Sequence, residues 1–256
     1  MAVRWVVVRV LVGILGLSNA AARAQGVIVF GDESYSGVIY RDAAGEAQGP
    51  LPALLKYYAT ISGNSVAVEL SPWKLAYNSA LAGRGGVIGL SKTPERLLQF
   101  DYSAPVYYDD VVLVVLKGQE FPYQQLADLR GKKIGAQLGA SFGSEVDQAI
   151  TQGWLQVERD QRHGARLKKL LHGRIDAAVI GNGHQGLTWL IDADPELQAV
   201  RARFVILPKP FVRRYLHLGF IKSMGQRTLL DEFNRIIREG RRRGDLPALE
   251  PLVEPP

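Results

Sequence analysis

The chain has 256 residues, a formal net charge of +6 and no cysteine. The absence of cysteine excludes disulfide scaffolds, thiolate catalysis, Cys-ligated zinc and a lipid anchor on an N-terminal cysteine. A charged fraction of 22% and a hydrophobic fraction of 47% exclude a disordered chain and a multispan membrane protein. The length is enough for one large domain or for two lobes of about 100–150 residues each.

The first 24 residues have the plan of a secretory signal peptide. Arg4 and Arg9 precede the apolar run Val10–Leu17, and small residues follow as far as Ala24. This run is shorter than the roughly 20 residues of a membrane span, although an uncleaved N-terminal anchor is the alternative. Cleavage after Ala24 would remove three arginines and no acid, which lowers the net charge from +6 to +3. We expect a soluble periplasmic protein that carries no lipid.

Strand-like and helix-like segments alternate along the rest of the chain. In chain order the pattern predicts strand Val27–Phe30, helix Pro50–Thr60, strand Val66–Leu70, helix Trp73–Leu81, strand Val87–Leu90, strand Val111–Leu116, helical turn Leu126–Leu129, strand Lys133–Gln137, helix Ser144–Gln152, helix Arg166–Leu171, strand Ile175–Ile180, strand Phe204–Leu207, strand Tyr215–Ile221 and a closing helix from Thr228 to about Arg241. This alternation predicts an α/β fold with mostly parallel sheets and crossover helices.

The same pattern starts again after Leu116, with no Ser/Gly-rich linker between the two halves. We therefore expect two lobes, the first formed by residues 25–111 with 206–256 and the second by residues 112–205. The strands expected to join them are Val111–Leu116 and Arg203–Leu207. A ligand would bind in the cleft between the lobes, beyond the carboxyl ends of the strands.

The densest local signal surrounds a predicted helix start. Thr93 stands where a hydroxyl N-cap is expected, and a proline and an acid follow in the first turn. Ser91 lies between the preceding strand and this cap, and the guanidinium of Arg96 suits a carboxylate. Together they predict an anion site. The alternative is a capped surface helix in which Arg96 pairs with Glu95 or Asp101.

The motif S-x-T-P-E-R, followed by F-x-Y-S-x-P-x-Y, resembles bacterial extracellular solute-binding proteins of family three, which include polar amino acid-binding proteins of ABC importers. The resemblance covers Val27–Leu246, and its other matching segments are Asp32–Tyr35, Trp73, Asp128–Gly135, Gln137–Ser141 and Gly173–Ala177. It implies the two-lobed periplasmic binding protein fold of type II, in which each lobe is a mostly parallel sheet flanked by helices and two crossover strands form the hinge.

The resemblance also implies a ligand site without catalytic residues, cofactor or metal. Arg96 would hold the α-carboxylate of the ligand, while Tyr35 and Trp73 would wall the cleft. Two of the expected contact residues also have a purely structural interpretation. Trp73 is a candidate core residue, and Ser141 is a candidate helix cap. The ligand-binding residues expected from the match are Arg96, Ser91, Gly89, Ser141, Tyr35, Trp73, Ala140 and Asn182.

The chain departs from the family where amino acid binders place an acid for the α-ammonium. Here that position is Gly181. An ammonium without a partner in a closed cleft is costly, so an ordinary α-amino acid is doubtful as the ligand. Other acids near the expected cleft, namely Asp32, Glu33, Glu69 and Asp109, remain as sources of charge. His184 is a further polar candidate, although a lone histidine is more often an ordinary surface or core residue.

Other function classes are less well supported by the sequence. Periplasmic cyclohexadienyl dehydratases are similar to these binders, but residues 181–186 carry no general acid. The basic run Arg241–Arg243 ends a helix, where cations favour the dipole, so we expect no nucleic-acid partner. The expected partners are a small-molecule ligand and an ABC permease of the inner membrane, with a membrane sensor kinase as the alternative. We expect a monomer.

Overall fold

The computed structural model describes residues 26–249, and the predicted signal peptide lies outside this range. The helices are α1 (Pro50–Ser62), α2 (Trp73–Leu81), α3 (Pro94–Gln99), α4 (Ser144–Thr151), α5 (His163–Leu171), α6 (Gly183–Asp192), α7 (Pro195–Ala199) and α8 (Arg227–Arg243). The strands are β1 (Val27–Asp32), β2 (Ser34–Tyr35), β3 (Ile39–Arg41), β4 (Ala47–Gln48), β5 (Val66–Ser71), β6 (Gly86–Ser91), β7 (Phe100–Tyr102), β8 (Tyr107–Leu116), β9 (Lys133–Gln137), β10 (Gln156–Asp160), β11 (Ala177–Ile180), β12 (Phe204–Ile206) and β13 (Val212–Ile221).

The predicted α/β architecture is confirmed. Strands follow one another across the sheet in the order β10-β9-β11-β8-β13-β6-β1-β5, with β12 on β8 and β7 on β13. The outer strands are parallel, since β1 pairs with β5 and β6, and β9 pairs with β10 and β11. Two long antiparallel strands, β8 and β13, lie between these parallel groups and join the two lobes.

Separate apolar cores fill the two lobes. In the first, Tyr58 packs edge-on against Phe233, so α1 and α8 cover the same face of the sheet. In the second, α5 and α6 cover one face and α4 the other. Leu207 and Phe211 pack in the second core. Strand β13 packs in the first core through Leu216 and Leu218, and the division of the chain at residue 206 stays a prediction.

The structure also contains elements that the sequence pattern did not predict. A small antiparallel sheet, β2-β3-β4, occupies the segment after the first strand. Strand β10 and helices α6 and α7 are further additions, and the predicted strand Ile175–Ile180 begins only at Ala177. Within residues 26–249, no helix has both the length and the apolar character needed to cross a membrane.

Candidate ligand-binding cleft

A cleft between the lobes collects side chains from the carboxyl ends of several strands. Its lining residues are Asp32, Tyr35, Ile39, Trp73, Ile88, Gly89, Ser91, Arg96, Gln137, Ala140, Ser141 and Arg214. Seven of the eight residues expected from the sequence line this cleft, and Asn182 does not.

Arg96 is a buried cation of the cleft. It is only 6% exposed, because α3 begins directly after β6 and turns the side chain inward. Thr93 caps this helix, accepting a hydrogen bond of 3.2 Å from the Arg96 amide. The guanidinium donates to the Ser91 hydroxyl at 2.9 Å and to the Ser91 carbonyl at 3.3 Å. Burial lowers the pKa of Arg96 from its usual value.

Aromatic rings hold the Arg96 guanidinium in place. Its central carbon lies 4.9 Å from the ring centre of Tyr77 and 5.8 Å from that of Trp73. Both Trp73 Nε1 and Arg96 Nη2 donate to the carbonyl oxygen of Gly139, at 3.1 Å and 3.5 Å. Trp73 therefore belongs to the core of the first lobe and also contacts the second lobe across the cleft.

The loop after β9 contributes Ala140 and Ser141 to the cleft lining. The Ser141 hydroxyl hydrogen-bonds to Asp147, which also accepts from the Phe142 amide at 3.1 Å. The side chain of Ser141 therefore stabilises the start of α4, as its plainer interpretation expects. The Ser141 amide N–H itself donates to no acceptor among residues 26–249. This N–H is therefore available as a hydrogen-bond donor.

A buried ion pair supports one wall of the cleft. Asp109 is fully buried and receives hydrogen bonds from the Tyr35 hydroxyl, from Arg214 Nε at 2.9 Å and from the Asn182 amide at 3.0 Å. Arg214 also donates to the Ser141 carbonyl at 2.7 Å. Burial alone would lower the pKa of Arg214, but the carboxylate of Asp109 raises it above its usual value. These contacts keep the Tyr35 ring against the second lobe.

Gly181 lies directly beneath the Tyr35 ring. A Cβ atom added at Gly181 would stand 2.4 Å from Cε2 of Tyr35 and 3.0 Å from its hydroxyl oxygen. Carbon atoms in contact are normally about 3.5–4.0 Å apart. Tyr35 therefore fills the space that any side chain at position 181 would need, and no acid fits there beside it.

Asp32, the remaining carboxyl group of the cleft, ends β1. It accepts hydrogen bonds from Gln137 and from the Ser34 amide, the latter at 3.1 Å. On its other side, His163 Nε2 lies 3.9 Å away, and the Nδ1 atom of the same ring lies 2.9 Å from the Ser36 hydroxyl. Burial raises the pKa of Asp32 to about 6 and lowers the pKa of His163 well below its usual value.

Two other polar residues considered from the sequence lie outside the cleft. Asn182 has a left-handed backbone, φ 63°, which turns its side chain behind the wall. There its amide group donates to the Ser36 carbonyl at 3.1 Å and accepts from Tyr107 at 2.7 Å. Asn182 therefore links the two lobes outside the cleft. His184 is exposed and lines a separate cavity behind the crossing strands.

Comparison with known proteins identifies the family of the chain. A family model for "bacterial extracellular solute-binding proteins, family 3" matches residues 27–250. The chain belongs to this family. The family resemblance expected from the S-x-T-P-E-R motif is therefore confirmed.

Curated relatives of this solute-binding protein bind amino acids. It is 28% identical over 166 residues to the arginine-binding extracellular protein ArtP of Bacillus subtilis, which covers 63% of this chain and 59% of ArtP. It is 37% identical over 115 residues to a putative ABC transporter arginine-binding protein of Escherichia coli, which covers 44% of this chain and 43% of that protein. The matches thus span less than two thirds of each relative.

Solved structures share the fold of this solute-binding protein at lower identity. A histidine kinase sensor domain with similarity to periplasmic binding proteins has a TM-score of 0.75 at 20% identity, covering 90% of this chain and 99% of that domain. An ancestral arginine-binding protein bound to arginine has a TM-score of 0.71 at 24% identity, covering 86% and 93%. The two-lobed fold expected from the sequence is confirmed.

Several cleft residues of this solute-binding protein were not among the predicted contacts. Gln137 ends β9, and the family match singled it out only as the start of a loop. Arg214 lies in β13, opposite Asp109 in the antiparallel register. The doublets Asp109-Asp110 and Arg213-Arg214 are the signal for this pairing, because opposite charges on neighbouring strands attract. Within the described residues, no group of three His, Cys, Asp or Glu side chains is placed to hold a metal ion.

Proposed function

We propose that this solute-binding protein captures a small polar ligand with a carboxylate group, an amino acid or a derivative of one, by closing its lobes around it. The ligand is released unchanged, so no residue has a catalytic role. The protein acts as a periplasmic monomer after loss of its signal peptide. The closed form delivers the ligand to an ABC permease of the inner membrane, as the names of curated relatives suggest.

The observation that carries this proposal is the state of Arg96. It is 6% exposed, yet the oxygens of Ser91 and Gly139 that accept its hydrogen bonds are neutral. None of the ion pairs within residues 26–249 includes it. A buried guanidinium without a counter-ion is costly, and a ligand carboxylate supplies the missing charge. The nearby Ser141 amide supplies a further donor.

Contacts across the cleft support closure around this site. Trp73 and Arg96 reach the Gly139 carbonyl from the first lobe, and Gln137 reaches Asp32 from the second. Arg96 thus takes part both in the anion site and in the contact between lobes. Ligand binding at Arg96 is therefore expected to favour the closed state, because the same side chain serves both.

A thermal-shift screen with a matched variant tests the proposal. Residues 25–256 are screened against amino acids, their derivatives, organic acids, polyamines and sugars, each with wild type, Arg96→Ala and the exposed control Arg235→Ala. A ligand at 100 times its Kd adds about 2.7 kcal/mol to stability. We expect a carboxylate to raise the melting temperature of wild type and the control, and its affinity for Arg96→Ala to be at least tenfold weaker, about 1.4 kcal/mol. A cation or sugar that is the best ligand, or a loss smaller than tenfold, contradicts it.

An alternative partner, a membrane sensor kinase, would use the same cleft. Uptake of the radiolabelled ligand separates the two partners. Deleting the gene should abolish high-affinity uptake if the partner is an importer. If uptake is unchanged while a ligand-dependent transcriptional response is lost, the sensing role replaces the importer role.

A further inference from the structure

We propose that the ligand is a carboxylate anion without a free ammonium group, such as a 2-oxo or 2-hydroxy acid, and that the cleft discriminates against zwitterionic α-amino acids. The inference rests on the proposed function, in which Arg96 binds the carboxylate. It concerns the atoms next to that carboxylate. An α-ammonium group lies within about 3 Å of the carboxylate carbon, so its partner must come from the same stretch of cleft wall.

The described cleft lining carries more positive than negative side-chain charge. Its charged side chains are two arginines, Arg96 and Arg214, and one acid, Asp32. The Ser141 amide and the Ser91 hydroxyl add further polar contacts for an anion. The Gly139 carbonyl, an acceptor at the edge of this wall, already accepts hydrogen bonds from Trp73 and Arg96. Carboxyl, hydroxyl and oxo oxygens match such a wall, whereas an ammonium brings three more donors.

Two other positions near the cleft cannot supply an acidic partner. The Asp109 carboxylate is already held by the Tyr35 hydroxyl, Arg214 and the Asn182 amide, and it has no exposed surface. Its charge is matched by that of Arg214. Position 181 is closed by the Tyr35 ring, which lies 2.4 Å from where a Cβ atom would stand. An ammonium on the ligand therefore finds no partner at either place.

Asp32 is the only acid that lines the described cleft, and it is already engaged. Its oxygens accept from Ser34 and Gln137. The other groups facing it are His163, whose burial favours the neutral ring, and the more distant Arg166, which is paired with Asp160 at 2.7 Å. Behind the neighbouring loop, Arg159 holds the carbonyl oxygens of residues 137 and 140.

A charge count links this arrangement to proton uptake. The pairs of Asp109 with Arg214 and of Asp160 with Arg166 each sum to zero, and the nearby carboxylate of Asp147 balances Arg159, which leaves Arg96 and Asp32. A bound monoanion makes this remaining set negative unless Asp32 takes up a proton. Burial already raises the pKa of Asp32 to about 6, so uptake at neutral pH needs only a modest further rise. A zwitterion would instead favour the ionised form of Asp32.

Matched ligands test this inference. Each proteinogenic L-amino acid is compared with the 2-oxo and 2-hydroxy acids of the same side chain by isothermal titration calorimetry at pH 7, in phosphate and in Tris. We expect an oxo or hydroxy acid to bind at least tenfold more tightly than its amino counterpart. We also expect binding to take up a measurable fraction of a proton in wild type and none in Asp32→Asn, since the variant has no group to protonate there.

The outcomes separate the two proposals. An amino acid that binds as tightly as its oxo and hydroxy counterparts, or that binds with proton release, overturns the inference and leaves the carboxylate site standing. If no carboxylate binds wild type, the proposed function itself fails. If an oxo or hydroxy acid binds more tightly than its amino counterpart but without proton uptake, the proposed ligand class stands. The proposed protonation of Asp32 is then overturned. Circular dichroism spectra of Asp32→Asn check that the variant is folded.

Discussion

Gly181→Ala is expected to push the two lobes apart and so to hinder closure of the cleft. The added methyl carbon would lie 2.4 Å from Cε2 and 3.1 Å from Cζ of Tyr35, so the ring must move by about 1 Å to restore normal contact. Tyr35 cannot simply turn away, because it is buried and its hydroxyl is bound to Asp109. The backbone at Gly181 lies outside the left-handed region, so the effect of the alanine is steric.

The loss of ligand affinity depends on whether the clash raises the free energy of the open or of the closed form. Overpacking of this kind costs about 1–3 kcal/mol. It destabilises the closed form, because Tyr35 and residue 181 are in contact there. Ligand affinity should therefore fall by roughly 5- to 150-fold. Small-angle scattering should show a larger radius of gyration than wild type at the same ligand concentration, while far-UV circular dichroism is unchanged.

Gly164→Ala is the matched control for this experiment. Gly164 lies in α5, and a Cβ atom added there meets nothing within 4 Å. We expect wild-type affinity from the control, with stability equal or slightly higher because alanine favours helix. Wild-type affinity and dimensions in Gly181→Ala would refute the reasoning, since they would show that Tyr35 does not close over residue 181.

Three further substitutions test other parts of the structure. Asp109→Ala leaves the buried guanidinium paired with it uncompensated, and urea unfolding should show a loss of about 3–5 kcal/mol; a loss below 1 kcal/mol would contradict the ion pair. Since burial raises the pKa of Asp32 to about 6 from 3.8, its contribution to stability is full below pH 3.8 and lost as pH rises through 6. The stability of wild type relative to Asp32→Asn should thus fall by about 3 kcal/mol from pH 3.8 to pH 8, and a constant difference would count against this. Trp73→Phe removes the hydrogen bond to Gly139 across the cleft and should weaken ligand binding by about 0.5–1.5 kcal/mol, whereas Trp154→Phe, away from the cleft, should not.

The parts of the fold that sequence patterns predicted are those in which apolar side chains mark the element. Helix α8 shows this, because Leu230, Phe233 and Ile237 form one apolar stripe that the core buries. Strand β10 shows the opposite case. Its sequence, Gln156–Asp160, is mostly polar, and pairing with β9 makes it a strand. Helix α6 likewise begins with two glycines among four residues, which disfavours helix, and the packing of Leu187, Leu190 and Ile191 stabilises it.

The same distinction applies to the cleft. Ser91, Thr93 and Arg96 were found because they belong to one short strand-to-helix connection, whose capping chemistry is local. The partnership of Asp109 with Arg214 depends on the register of two strands that lie far apart in the chain. Neither the buried state of that pair nor the Tyr35 ring over residue 181 has a local sequence signal. Such contacts follow from tertiary packing alone.

The most direct test of the central claim is a crystal structure of the protein with the carboxylate compound that stabilises it most. The account predicts closed lobes with the ligand carboxylate within hydrogen-bond distance of the Arg96 guanidinium and the Ser141 amide. A ligand bound outside the cleft, or one inside it whose carboxylate points away from Arg96, would contradict the account.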